Sequence, residues 1–361
     1  MKTKKIFSAA LAFFALIFIV SGSYCADAAE NNYTYRSDYL YDMLETDTEK
    51  QFYDDLTASC EKVDKSYDRY NSIDRVKIPN TMDNERALEI MVIFINDNPN
   101  YFWLDINYTI LTRVERLRLQ RYMTINVIDY FKDGNVRQSA KVKVMKAAQE
   151  YIDGAMKLDT QYDRALYLHD KLVSEVEYKL GEWDQTTASV FLEKQSVCAG
   201  YSKAYAMLCN AVGIDAVVVT SDSHAWNIIK LSGYWFIVDV TNDYNSKKFF
   251  LVSDSSIAYI DKFLPQETQH SIDKNTYVHY YDSFPKCPYN YFDIASSLSE
   301  ETHILGDANN DGNVNVRDVA YIAKYLSHRN VSIIFDQADY DRDGKITVRD
   351  AAALAKDLAA A

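Results

Sequence analysis

The chain has 361 residues, 48% of them hydrophobic, which leaves room for two or three domains with ordinary cores. With 52 acidic against 39 basic side chains the net charge is −13, which excludes nucleic acid as a natural partner, because phosphate binding needs a basic surface. The cysteines Cys25, Cys60, Cys198, Cys209 and Cys287 are too few and too widely spaced for a disulfide framework.

At the start, Lys2, Lys4 and Lys5 precede an apolar run from Ile6 to Val20, and Ala26-Asp27-Ala28 supplies small residues at the cleavage positions. Residues 1–28 therefore read as a secretory signal peptide, and the mature chain is expected to be secreted with no membrane span. Residues 29–139 form a mostly helical N-terminal region. Its helices, up to about residue 105, are broken at Asn71, Pro79 and Pro99, and strand-like alternation from Thr109 to Phe131 follows, ending at Asp133-Gly134. A second domain is expected over 140–292, beginning with helical periodicity from Ala140 to Tyr178, within which His169 reads as a structural histidine.

Cys198 lies in Ser196-Val197-Cys198-Ala199-Gly200-Tyr201, after which apolar residues continue at helical spacing to Gly213. That places the thiol in the first turn of a largely buried helix, where the positive end of the helix dipole favours thiolate over thiol. Cys209, on the same helix, reads as a small core residue. Ala216–Thr220 reads as a buried strand, His224–Leu231 as a second and Tyr234–Val240 as a third, with Ser232-Gly233 as a two-residue turn between the last two. In that register Asp239 faces Trp226 and has His224 as its diagonal neighbour on the same face, close enough for carboxylate to meet imidazole. A thiol, an imidazole and a carboxylate in this order suit acyl transfer through a thioester. The imidazole takes the thiol proton and later protonates the leaving amine, while the carboxylate orients the ring.

These residues resemble the transglutaminase-like superfamily, whose bacterial members carry a Gly-Tyr step after the cysteine, a His-Ala-Trp-Asn strand and a Trp-x-x-Val-Asp-x-Thr strand. Cys198-Ala199-Gly200-Tyr201, His224-Ala225-Trp226-Asn227 and Trp235-Phe236-Ile237-Val238-Asp239-Val240-Thr241 are the counterparts, and the likeness spans about 140–243. The resemblance implies Cys198 as nucleophile, His224 as general base and acid, and Asp239 as orienting group, in an α+β papain-like core whose cysteine helix packs on an antiparallel sheet. Two departures are Ser196, where a glycine commonly stands, and Asn242, where a tryptophan often follows the threonine. The Cys198 backbone N–H is the first expected oxyanion donor, with Tyr178, Trp183 and Gln185 as candidates for a second. His270, His279 and His303 show no metal-ligand spacing.

After edge strands near Lys248–Val252 and a Tyr-rich stretch, residues 293–305 read as a linker. Residues 306–361 then repeat an acidic loop and a helix. The first copy places Asp307, Asn309, Asp311, Gly312, Asn315 and Asp318 at loop positions one, three, five, six, nine and twelve; the second places Asp339, Asp341, Asp343, Gly344, Thr347 and Asp350 there. With the backbone carbonyls of Asn313 and Lys345 at position seven, each copy offers the hard oxygen ligands that Ca²⁺ requires. The duplication, the single helix after each loop and Asp at position twelve resemble the type I dockerin module of cellulosomal proteins. That resemblance implies a small all-α module, two calcium ions, and a cohesin domain of a scaffolding protein as partner. Val316, Arg317, Val348 and Arg349 match the family's selectivity positions, and their identity in both copies suits binding in either of two orientations. The expected function is a secreted, cellulosome-associated thiol hydrolase acting on amide bonds of a protein or peptide substrate. A cross-linking transglutaminase with an amine acceptor and a non-catalytic binding subunit are the alternatives.

Overall fold

The computed structural model describes residues 33–244, 246–272, 274, 283–295, 304–309, 313–327, 333, 335–342 and 345–360. The expected signal peptide, most of the expected linker, Asp311, Gly312, Asp343, Gly344, His279 and His303 lie outside these residues. In chain order the elements are α1 (Tyr39–Asp42), α2 (Asp47–Asp64), β1 (Val76–Ile78), α3 (Asn84–Asp97), β2 (Leu104–Glu115), β3 (Arg118–Val127), α4 (Gly134–Ala155), α5 (Gln161–Glu175) and β4 (Glu177–Tyr178). They continue with β5 (Gln195–Ser196), α6 (Cys198–Ala211), β6 (Ala216–Thr220), β7 (Ala225–Leu231), β8 (Tyr234–Val238), β9 (Phe250–Val252), α7 (Asp254–Ile260) and α8 (Tyr291–Ile294). The C-terminal segment adds α9 (Val316–Leu326), α10 (Phe335–Ala338) and α11 (Val348–Ala360).

Local chemistry sets the long helices. Thr46 caps α2 in a capping box with Glu49, Asp83 accepts the Arg86 N–H at the start of α3, and Thr160 accepts the Asp163 N–H at the start of α5. Asp133, expected to end a strand, instead caps α4 through the N–H groups of Asn135 and Val136. In the N-terminal region β1 and the long β2–β3 hairpin, which takes in the strand-like stretch that begins at Thr109, form an antiparallel sheet ordered β1-β3-β2 among the helices. Arg116 and Leu117 turn that hairpin with positive φ of 48° and 67°, a turn without glycine that sequence rules do not flag.

The second sheet is antiparallel with order β6-β7-β8-β9, and α6 packs against β6 and β7. The β7–β8 hairpin has the expected register, with Leu231 opposite Tyr234 and Asn227 opposite Val238. Ser232 and Gly233 make the turn at φ of 49° and 83°, so both central residues are left-handed and glycine is needed at the second. Beside this sheet, β4 and β5 form a short parallel pair that leads into the Cys198 turn. The whole is mixed helix and antiparallel sheet, the α+β arrangement read from the sequence.

One buried apolar cluster runs from Leu40 to Cys287 and takes in side chains of α2, α3, α4, α5, α6 and both sheets. Arg137, fully buried, ties the N-terminal segments to α4 by donating to the carbonyls of Phe131 at 2.9 Å and Ser66 at 2.8 Å. A separate small cluster, Ala308, Ile322, Ala338, Ile346 and Leu354, forms the core of the C-terminal helices. Among the described residues no helix is long and apolar enough to cross a membrane.

Candidate active site and calcium loops

Cys198 is the first residue of α6, and Val197 before it gives the helix no side-chain cap. The Gly200 N–H bonds to the Val197 carbonyl at 3.0 Å, and the Cys198 N–H at the helix start is the group an oxyanion hole would use. The turn is held rigidly from behind. Ser196 is wholly buried and its hydroxyl meets the Asp184 carbonyl at 2.5 Å and the Ser189 hydroxyl at 2.8 Å. Gly200 makes room for that hydroxyl, since a Cβ there would lie 2.0 Å from Ser196 Oγ and 2.8 Å from the Asp184 carbonyl oxygen. The departure at Ser196 is thus a structural anchor matched by Gly200.

Asn227 fixes α6 to the sheet. Its Nδ2 donates to the Ser202 carbonyl at 2.9 Å and the Val217 carbonyl at 3.3 Å, while Ser202 Oγ donates to the Cys198 carbonyl at 2.9 Å. One residue before β7 and one after β8, His224 and Asp239 meet: His224 Nε2 lies 2.8 Å from Asp239 Oδ2. Asp239 has no exposed surface and His224 is 5% exposed. With Nε2 committed to the carboxylate, Nδ1 is the ring nitrogen left to serve the thiol.

Electrostatics follows from these contacts. Burial alone would pull the His224 pKa down, but hydrogen bonds with Asp239 and Cys198 outweigh it and raise it to about 9. Burial pushes the Asp239 carboxyl up, yet hydrogen bonds from His224 and His270 hold it well below the usual carboxylate range. Asn242, the other departure, donates from Nδ2 to Asp239 Oδ2 at 2.7 Å and stands 3.4 Å from His224 Nε2. The amide of Asn242 therefore supports the carboxylate directly.

Of the three candidates for a second oxyanion donor, Tyr178 is the one whose hydroxyl reaches Cys198. Burial raises the Tyr178 pKa first, and the charge and hydrogen bond of the Cys198 side chain add to it; the Cys198 backbone acts in the opposite sense. Trp183 is buried in a ring cluster with Tyr130 and Phe131, and Gln185 is exposed, its carbonyl accepting from Lys203 at 3.3 Å. Tyr178 also lines a cleft of about 240 Å³ with Val173, Glu177, Tyr201, Val240, Thr241 and Tyr244. Cys198 is half-buried, whereas Cys60, Cys209 and Cys287 are buried free thiols.

His270 is the residue that sequence reasoning missed. It has no motif, and folding brings its Nε2 to 3.0 Å from Asp239 Oδ2. His169, by contrast, sits as expected in the core, bonded to Asp243 at 3.2 Å and Asp170 at 2.9 Å.

In the C-terminal repeat, Asp318 and Asp350 are fully buried and make matching bonds. Asp318 accepts the N–H of Asn309 at 3.2 Å and of Asn315 at 2.8 Å; Asp350 accepts the N–H of Asp341 at 3.1 Å and of Thr347 at 2.7 Å. Position twelve thus braces positions three and nine in both loops. Asp339, Asp341 and Asp350 bring carboxylate oxygens within 4.8 Å of one another, a hard anionic set that fits a calcium ion. Val316 and Val348 open α9 and α11, each 73% exposed, with Arg317 and Arg349 exposed beside them.

Comparison with known families agrees with this geometry. Residues 147–240 match the model of the Transglutaminase-like superfamily and residues 305–359 match that of the Dockerin type I domain. The chain joins a transglutaminase-like core to a type I dockerin. The matched core contains Cys198, His224 and Asp239 and ends before Asn242, Asp261 and His270. No curated protein matches the chain. A solved structure described as "Crystal structure of a TGase" is 16% identical over 40% of this chain and 47% of its own, with a TM-score of 0.25, so the chain spans about half of that protein and the likeness carries no argument. A transglutaminase-like core belongs to a superfamily that usually performs cysteine acyl transfer, and a type I dockerin binds calcium and implies a cohesin partner and association with a cellulosome.

Proposed function

We propose that the protein is a secreted, cellulosome-associated thiol hydrolase that cleaves amide bonds of a protein or peptide substrate through a thioester on Cys198. The observation that carries this reading is the buried 2.8 Å contact between His224 Nε2 and Asp239 Oδ2 beside a half-buried thiol at an uncapped helix start. In the forward step His224 Nδ1 takes the Cys198 proton as sulfur attacks the substrate carbonyl. The Cys198 N–H stabilises the oxyanion, and the imidazolium returns its proton to the leaving amine. Water then attacks the thioester, His224 again accepts a proton, and the acid and the free thiol are released. Asp239 keeps its charge throughout and holds the ring.

Water is the proposed acceptor because Cys198 is only half-buried, and a thioester open to bulk water hydrolyses. The dockerin would hold two calcium ions. Asp307, Asn309, Asp311, Asn315, Asp318 and the Asn313 carbonyl would ligate one; Asp339, Asp341, Asp343, Thr347, Asp350 and the Lys345 carbonyl the other. Each ion would supply the countercharge for the carboxylates gathered in its loop.

Peptide-library cleavage by the mature protein tests the reading. New amino termini that vanish in Cys198→Ala are expected. Incorporation of a labelled primary amine into glutamine side chains with no cleavage would contradict hydrolysis, and identical profiles for the two proteins would contradict enzymatic function.

A further inference from the structure

Asp239 is gripped from two sides. His270, 31 residues further along, places Nε2 3.0 Å from Asp239 Oδ2, the oxygen that also meets His224 Nε2 at 2.8 Å. Its other ring nitrogen, Nδ1, lies 2.8 Å from Asp261 Oδ1, and its backbone N–H donates to Asp261 Oδ2 at 2.9 Å. An ionised carboxylate only accepts hydrogen bonds, so each ring nitrogen of His270 must carry a proton, and a ring with both protons is an imidazolium. The His270 side chain is 1% exposed, yet it stands between two carboxylates, the arrangement in which a buried cation is tolerated.

We propose that His270 is a protonated positioning residue for the triad: by bridging Asp239 and Asp261 it fixes the carboxylate and supplies a positive charge that sets the pH window of Cys198 and His224. This rests on the acyl-transfer reading above. Among the described residues, the titratable groups facing His270 are Asp239 from the segment after β8, Asp261 from the turn after α7, and His224, whose ring centroid is 5.4 Å away. The other rings against it, Trp226 at 5.0 Å and Phe249 at 5.7 Å, are uncharged. Burial disfavours the His270 cation, but its bonds to Asp239 and Asp261 outweigh burial and raise its pKa.

The direction of the effect follows from Coulomb's law. A cation beside His224 opposes protonation of that ring and favours the thiolate beyond it. Removing the cation makes His224 more basic and the thiol less acidic, so both limbs of the reactivity profile move to higher pH. For a unit charge at this separation the shift is roughly one to two pH units, with an effective dielectric of about 20 to 40. A side chain that merely filled space would lower the amount of folded protein without moving either limb.

The test is the rate of Cys198 alkylation by iodoacetamide as a function of pH in the full-length protein, read on the Cys198 peptide by mass spectrometry. Wild type, His270→Gln, Asp261→Asn and His224→Ala are compared, with thermal unfolding recorded for each. His270→Gln is expected to displace the profile to higher pH by roughly one to two units, and Asp261→Asn to displace it in the opposite direction by less, because it removes an anion and leaves the His270 charge less compensated while the bond to Asp239 persists. Superposable profiles for wild type, His270→Gln and Asp261→Asn would overturn the proposal and leave the acyl-transfer reading standing. A wild-type profile that superposes on that of His224→Ala would overturn both. Should His270→Gln fail to fold, Asp261→Asn decides alone, because its side chain is 17% exposed and sits at the rim; an unshifted profile there overturns the proposal.

Discussion

Asp239 shows how far a single side chain can be determined by its surroundings. Its Oδ2 receives His224, His270 and Asn242, and its Oδ1 receives the N–H groups of Thr241 at 2.9 Å and Asn242 at 3.2 Å. The carboxylate is therefore ionised in the folded protein well below its ordinary pKa, and the linked stability is present above the unfolded value near 3.8 and lost as pH falls below it. For His224 the sign is opposite. Its folded pKa of about 9 exceeds the ordinary 6.5, so its contribution is complete below 6.5 and lost as pH rises through 9. Thermal unfolding of wild type is thus expected to peak on the mildly acidic side of neutrality, and Asp239→Asn should flatten the curve on both flanks. An unchanged pH dependence in Asp239→Asn would contradict the assignment of these bonds. Gly200 makes a second residue-level case. Gly200→Ala forces a methyl group into Ser196 Oγ and the Asp184 carbonyl, and overpacking of this kind costs about 1–3 kcal/mol. The midpoint of denaturation should fall accordingly, and Cys198 should alkylate more slowly because its turn is displaced.

At the scale of elements, the site is a helix start set against one hairpin. Asn227 is the tether between them, and Asn227→Ala would remove a donor shared by the Ser202 and Val217 carbonyls, at a cost of about 1–3 kcal/mol. Chemical denaturation measures that cost, and an undiminished midpoint would show that α6 is positioned by apolar packing alone. The hairpin was legible in the sequence because a two-residue turn with glycine fixes register, and register fixes which side chains share a face. The helix start was legible because apolar spacing begins at Cys198 and stops at Gly213, where φ is 78°. His270 was not legible. Its approach to Asp239 depends on the path of the chain through α7 and the turn at Asp261, which carries no periodic pattern. The β2–β3 hairpin was legible only as strand-like alternation from Thr109 to Phe131, since its turn uses Arg116 and Leu117 where glycine or asparagine would have signalled a hairpin.

At the scale of the whole molecule, the buried side chains fall into two apolar clusters, with Tyr33 and Met156 packed against both. The cluster under the Cys198 helix contains no calcium-loop residue, so chelation should abolish cohesin binding and leave Cys198 alkylation within a factor of two or so. Calorimetric titration with a cohesin domain, alongside the alkylation rate, checks this, and joint loss of both would contradict independent modules. The matched exposure of Val316 and Val348 carries a second expectation for the dockerin. Replacing Val316 and Arg317 alone is expected to weaken cohesin binding only a few-fold if Val348 and Arg349, equally exposed, serve in a second orientation; replacing all four should abolish it. Loss of binding on replacing one pair would show that a single orientation is used.

The central claim is that His224 and Asp239 activate Cys198, and the most direct measurement is the neutral-pH alkylation rate of Cys198 in wild type and His224→Ala. The account predicts a rate at least about tenfold faster in wild type, because His224 takes the thiol proton. Equal rates in the two proteins, or a wild-type thiol no faster than a cysteine of the unfolded chain, would contradict it.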